Sequence, residues 1–267
     1  AAAGASRGGC GGGAEAGGGG GGGECGGSGD GGEGGAPGRR RGVQPGARGG
    51  GPSDGGGVGL GKAVGAFVFG WALVFIYYTK SELLTSNMMV TSIAVYHRRL
   101  GQLRGLMLLV LCFLGNAIGG LLLATMARFS TLTAGHVGEK MLGAVEVKLG
   151  YMTTASGMGD LFVRAILCNL MINVAMLLIY NGFLHDDLTK SLAMVMAVFI
   201  FAFLGLEHSV ANTVLFTIVG FTQGIDVLPA MGNVAIALLG NFIGGGVLIG
   251  IYYAYVNDDR RIGRRAG

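Results

Sequence analysis

The sequence predicts an all-α, polytopic membrane protein built as an inverted repeat with two broken helices. Of its 267 residues, 51% are hydrophobic and only 13% are charged. Several charge-free stretches reach the roughly 20 residues that a helix needs to cross a bilayer. Two apolar stretches carry ionisable residues near their middle, and such groups at bilayer depth usually face a cavity or a pathway.

The first 57 residues differ in composition from the rest of the chain. They include 29 Gly and none of Leu, Ile, Phe, Met, Trp or Tyr, so they lack the apolar surface that would offset the entropy of ordering. We therefore expect residues 1–57 to be a disordered or artefactual head. Residues 58–256 are expected to form the membrane domain, and residues 257–267 a basic tail.

Five membrane spans are expected, two of them broken. The first broken span carries Lys80-Ser81-Glu82 at its centre, and the second carries Glu207-His208. Residues 128–158, which have mixed charge, are expected to form a loop. In chain order the apolar segments are Ala63–Thr79 with Leu83–Tyr96, Gly105–Ala127, Ala165–His185, Ser191–Leu206 with Ser209–Ile225, and Pro229–Val256.

The two halves repeat each other at an offset of 125 positions without a gap. Paired halves with a broken helix in each are typical of transporters and channels with a binding site at the bilayer midplane. The matched landmarks are Glu82 with Glu207, Asn87 with Asn212, and Gly-Asn-Ala-Ile-Gly-Gly at 115–120 with Gly-Asn-Phe-Ile-Gly-Gly at 240–245.

The repeat also predicts that the first half lacks its opening helix, because the counterpart of span 165–185 falls in the Gly-rich head. Either the head replaces a real helix, through truncation or a wrong reading frame, or the chain is a natural five-span variant. The basic segments 97–104 and 260–265 lie on one side of the membrane. Since basic segments favour the cytoplasm, we expect a plasma-membrane protein with a cytoplasmic C-terminus.

Other functional classes lack support in the sequence. The net charge is only +4, and basic residues clustered at span ends are topology signals more often than nucleic-acid surfaces. No nucleophile, phosphate-loop or zinc signature occurs, so no catalytic residue, metal or cofactor is predicted. A membrane-embedded enzyme that uses Glu207 and His208 as an acid–base pair is kept as an alternative.

Four motifs make residues 58–256 resemble the formate/nitrite transporter family. They are Ser-Glu-Leu-Leu-Thr-Ser-Asn at 81–87, Ile-Leu-Cys-Asn-Leu-Met at 166–171, Gly-Leu-Glu-His-Ser-Val-Ala-Asn at 205–212 and Gly-Asn-Phe-Ile-Gly-Gly-Gly at 240–246. The resemblance implies an aquaporin-like fold with six helices, a homopentamer with one pore per protomer, and small monovalent anions or their acids as substrates. Formate, nitrite and hydrosulfide belong to this class.

The resemblance also implies residue roles, position by position. His208 matches the central pore histidine, and Thr85 matches the threonine of the first helix break. Two departures stand out: the family's first helix is missing, and its vestibule lysine is Thr153 here, with Lys148 as a possible substitute. The expected cytoplasmic constriction is Leu73 and Leu83, the opposite one is Phe201, and Phe69 lies at a vestibule.

A mechanism follows from the cost of moving an anion through an apolar constriction, which is several kcal/mol or more. Half-helix N-termini at the midplane present free N–H groups and positive dipole ends. His208 is expected to donate a proton so that a neutral acid crosses. Loss of the first helix leaves a second possibility, a non-conducting scaffold subunit of the same fold.

Overall fold

The computed structural model describes residues 55–258, and the side chains of 59–258. Within these residues the chain is helical and has no strand, which confirms the all-α prediction. Five helical segments in this described part are long and apolar enough to cross a membrane, as predicted. The head, apart from 55–57, and the tail beyond 258 lie outside the described residues, so the predictions for them stay predictions.

The described part of the chain forms nine α-helices. A 3₁₀ turn at Tyr151–Thr153 links the fourth to the fifth, and a π-helical segment at Phe242–Ile251 joins the eighth to the ninth. The helices are α1 Gly55–Tyr78, α2 Leu84–Tyr96, α3 Gln102–Arg128, α4 Gly135–Gly150, α5 Ala155–Tyr180, α6 Asp187–Leu204, α7 Ser209–Thr222, α8 Val227–Asn241 and α9 Tyr252–Val256.

Two interruptions, at 79–83 and 205–208, separate α1 from α2 and α6 from α7. Gly205 ends α6 with φ = 68°, a left-handed conformation that glycine adopts without steric cost. Its N–H reaches the Ala202 carbonyl at 3.2 Å, and the Leu206 N–H reaches the Phe201 carbonyl at 2.8 Å. Helix α6 therefore ends at Gly205, and α7 begins after its capping residue His208.

The helix packing has the symmetry that the repeat predicts. Helix α1 packs most extensively on α6, its own counterpart in the second half. Helix α2 packs on the π-helical segment, and α7 packs on α3. An exchange of the two halves converts the second pairing into the third. The largest cluster of buried apolar side chains lies among α1, α2, α5 and α6, beside both interruptions.

The prediction of a loop over 128–158 is wrong, because α4 lies inside it. Charged residues such as Glu139 and Lys140 indicated a loop, but they occupy only the exposed part of the helix surface. The opposite face carries Met141, Leu142 and Val145, which pack against α7 and α8. Val145 is 1% exposed. An amphipathic helix of this kind is stabilised by its apolar face.

The third span runs over Ala155–Tyr180 rather than 165–185. It starts earlier because Thr154 caps it, accepting a hydrogen bond from the Gly157 N–H at 3.0 Å. It also tolerates charges, since Arg164 and Asp160 pair at 2.9 Å one turn apart. It ends earlier because Gly182 adopts φ = 68°.

Candidate functional site

Both helix interruptions contain the same glutamate–asparagine hydrogen bond. The Asn212 side-chain amide donates to Glu207 Oε2 at 2.7 Å. In the other half, the Asn87 amide donates to Glu82 Oε2 at 2.5 Å. The four polar landmarks of the repeat thus occupy equivalent positions. Each pair ties an interruption to the first turns of the helix that follows it.

A second asparagine, on a different helix, donates a hydrogen bond to the backbone of each interruption. The Asn241 amide donates to the Glu207 carbonyl at 3.1 Å, and the Asn116 amide donates to the Glu82 carbonyl at 3.3 Å. Asn241 also accepts a hydrogen bond from the Ser209 N–H at 2.9 Å. These contacts satisfy backbone groups that the helix interruptions leave without an intrahelical partner.

His208 links the two interruptions. Its Nδ1 accepts a hydrogen bond from the Ala211 N–H at 3.2 Å, which caps α7. Its Nε2 lies 3.1 Å from the Thr85 hydroxyl oxygen. Since Nδ1 serves as acceptor, the neutral ring carries its proton on Nε2 and donates it to Thr85. A second proton on Nδ1 would break the cap of α7.

The candidate pore residues come together around one apolar cavity of about 350 Å³. Phe201 stacks on the His208 ring, with centroids 5.8 Å apart and an interplanar angle of 20°. Phe69 meets Phe201 edge-on at 6.0 Å. Leu73 and Leu83 line the same space, and among the described residues that line it His208 is the sole ionisable one. Thr85 joins them through its contact with His208.

A second cavity, of about 560 Å³, lies beyond an apolar wall. Leu73, Ile76 and Leu83 line both cavities, so they separate the two. Lining residues of this larger cavity include Lys80, Ser81, Glu82, Ser86, Asn87, Asn181 and Tyr253, which make it more polar. It lies on the side where α5 ends and α9 begins, because Tyr253 donates a hydrogen bond to Asn181 at 2.8 Å. Sequence reasoning missed Ile76 and Ser86.

Lys148 forms an ion pair with Glu207, at 2.7 Å between Nζ and Oε2. The Glu207 side chain is 4% exposed and that of Lys148 is 19% exposed. The Asn233 amide holds the Lys148 carbonyl at 2.9 Å, whereas Thr153 is exposed and bonds only to its own turn. Among the described residues, Glu82 has no equivalent cation within ion-pair distance. In the sequence, only the resemblance to the family suggested a functional role for Lys148.

Replacing Lys148 with Met is expected to lower the free energy of unfolding by about 3 kcal/mol. This is the low end for breaking one side of a buried ion pair, because Lys148 keeps some contact with solvent. Adding Glu207→Gln should recover most of the loss, since no unpaired charge then remains. Thermal unfolding in detergent measures both variants. Lys140→Met, on the exposed side of α4, is the matched control, and equal stability of both lysine variants would refute the pairing.

Comparisons of the sequence and of the structure with known proteins agree with each other. Residues 47–255 match the family model described as formate/nitrite transporter. The formate channel FocA of Haemophilus influenzae is 30% identical over 221 residues, which are 74% of this chain and 75% of that protein. A solved FNT family ion channel aligns with TM-score 0.62 at 25% identity, over 75% of this chain and 85% of that one. A pentameric formate channel with formate bound shares the fold, with TM-score 0.56 at 19% identity over 74% of this chain and 84% of that one.

Proposed function

Because the chain belongs to the formate/nitrite transporter family, whose members are channels and transporters, we propose that it conducts small monovalent anions or their conjugate acids. The substrate class is formate, nitrite or hydrosulfide. One observation carries the proposal: of the residues that the structure describes, His208 alone places an ionisable side chain at the apolar cavity, where the two helix interruptions meet. Ionisable groups at such depth in a membrane mark substrate pathways.

The apolar wall of Leu73, Ile76 and Leu83 favours a neutral species over an anion. His208 offers the Nε2 proton for hydrogen bonding, while Nδ1 is held by Ala211. Loss of the Nε2 proton alone would leave an imidazolate, which is costly in an apolar site. The proton of the neutral acid therefore comes from water at the mouth, and not from His208 as the sequence led us to expect. His208 with Thr85 stabilises the passing molecule through hydrogen bonds.

Uptake of formate by liposomes that contain the purified protein is expected to exceed uptake by empty liposomes. It should also rise as pH falls, because the neutral acid becomes more abundant. Isotope-labelled formate at two external pH values measures both effects, and nitrite and hydrosulfide are run beside it. Folded protein without flux of any of the three would overturn the proposal.

A non-conducting scaffold subunit is the second candidate, and packing around α3 favours it. Gly240 and Gly244 lie against α5, with Phe162 and Ile166 carbonyls where a Cβ would stand. Their repeat counterparts, Gly115 and Gly119, have nothing within 4 Å of the same point among the described residues. Within the described residues, the first half thus has a helix face without a neighbour, whereas its counterpart in the second half is covered.

We also propose a homopentamer in the plasma membrane, with the C-terminus and segment 97–104 in the cytoplasm. The pentameric state of the solved formate channel and the long apolar surface of α3 support the assembly. Among exposed apolar residues of α3 are Leu103, Leu106, Leu111, Leu122 and Met126. Such a surface needs lipid or a neighbouring protomer.

A further inference from the structure

Ser86 has a buried hydroxyl without a partner. It is the third residue of α2, it is 3% exposed, and its Oγ makes no hydrogen bond with any described residue. It lines the 560 Å³ cavity on the polar side of the apolar wall. Buried polar groups are nearly always paired, so this hydroxyl needs a partner that enters through the cavity.

The position of Ser86 explains why its own helix does not satisfy it. A helical serine usually donates to the carbonyl four residues earlier, as Thr213 does to Ser209 at 2.9 Å. For Ser86 that carbonyl belongs to Glu82, which lies in the interruption and accepts the Asn116 amide. The Ser86 hydroxyl is left without a partner in its own helix, at a residue that lines the cavity.

The N-terminus of α2 is also uncapped, in contrast to that of α7. His208 and Asn241 accept hydrogen bonds from the first N–H groups of α7. The capping position of α2 is Leu83, whose side chain cannot accept a hydrogen bond, and no side chain in the described part of the chain caps this 13-residue helix. The first turn of α2 therefore keeps free N–H donors and the positive end of its dipole.

We propose that the first turn of α2 and the Ser86 hydroxyl form a binding subsite for a small oxyanion. The subsite rests on the proposed transport function and narrows its substrate class. Carboxylates and nitrite have two acceptor oxygens, so one oxygen takes the Ser86 hydroxyl while the other faces the helix N–H groups. Hydrosulfide has a single, weakly accepting sulfur and therefore gains less binding free energy at this subsite. The cavity lining supplies one positive charge, Lys80, and one carboxylate, Glu82, which Asn87 engages.

The Ser86→Ala variant is expected to raise the KM for formate uptake roughly tenfold, the value of a hydrogen bond to a charged group, with little change in maximal rate. The KM for hydrosulfide should change less than twofold. Ser86→Thr, which keeps the hydroxyl, should restore formate affinity. Ser81→Ala is the matched control, because Ser81 lines the same cavity but already pairs with Thr79 at 2.8 Å.

A measurement of formate binding tests the proposed subsite independently of the proposed transport function. Formate is expected to raise the thermal unfolding temperature of the wild-type protein in detergent and to raise that of Ser86→Ala less. That result supports the subsite even if no flux occurs, in which case only the transport function fails. An unchanged formate KM in folded Ser86→Ala, or an equal stabilisation of both proteins by formate, overturns the subsite. An equal rise in KM for formate and hydrosulfide also overturns it, because it indicates a change of pore width.

Discussion

The His208→Ala variant is expected to lower formate flux by roughly ten- to a hundredfold. The substitution removes the ionisable group of the apolar cavity, the only one among its described lining residues. A hydrogen bond to a charged or strongly polar group contributes about 1.5–3 kcal/mol. The Thr85 hydroxyl, which is fully buried, loses its partner as well. Formate uptake by proteoliposomes, normalised to folded protein, measures the effect.

His208→Asn is the control that separates flux from folding. Alanine also removes the cap of α7, which costs about 1 kcal/mol, so reduced flux alone has two explanations. Asparagine is a good capping residue and can still accept the Ala211 N–H, but it is too short to reach Thr85. We expect near-native thermal stability together with low flux. Native flux in His208→Asn would remove His208 from the transport mechanism.

Much of the membrane domain could be predicted because polar residues inside apolar spans are rare and costly. Glu82 and Glu207 therefore identified the two helix interruptions and the 125-position offset between the two halves. The equivalent hydrogen bonds that Asn87 and Asn212 donate to these glutamates are related by the same offset. The roles of the residues around the cavity were predicted on a different basis. Composition alone would assign Phe201 and Leu73 to ordinary packing, and only the family motifs suggested a role for them.

What the sequence did not predict depends on contacts between distant segments. Helix α4 was missed because its charges are visible in the sequence, whereas the α7 surface that receives Val145 is not. The pairing of Lys148 with Glu207 spans 59 positions. Ser86 was missed because the absence of a partner for its hydroxyl depends on the packing around it, which the sequence does not show.

The Gly244→Ala variant is expected to lower the free energy of unfolding by about 3 kcal/mol or more. A Cβ at this position would overlap the Ile166 carbonyl and crowd the Leu170 nitrogen. Both are backbone atoms of α5, which cannot rotate away as a side chain can, and overpacking typically costs about 1–3 kcal/mol even where side chains adjust. Thermal unfolding in detergent, with pentamer content measured in parallel, tests the expectation.

Gly119→Ala is the repeat-related control and decides what covers α3. With nothing within 4 Å of its Cβ position, the substitution should be neutral or stabilise the helix by up to about 1 kcal/mol. A large difference between the two variants means that the first half works with an open α3 face. If Gly119→Ala is as damaging as Gly244→Ala, another helix packs there in the folded protein. The scaffold candidate then loses the observation that favours it, because the pore has its full wall.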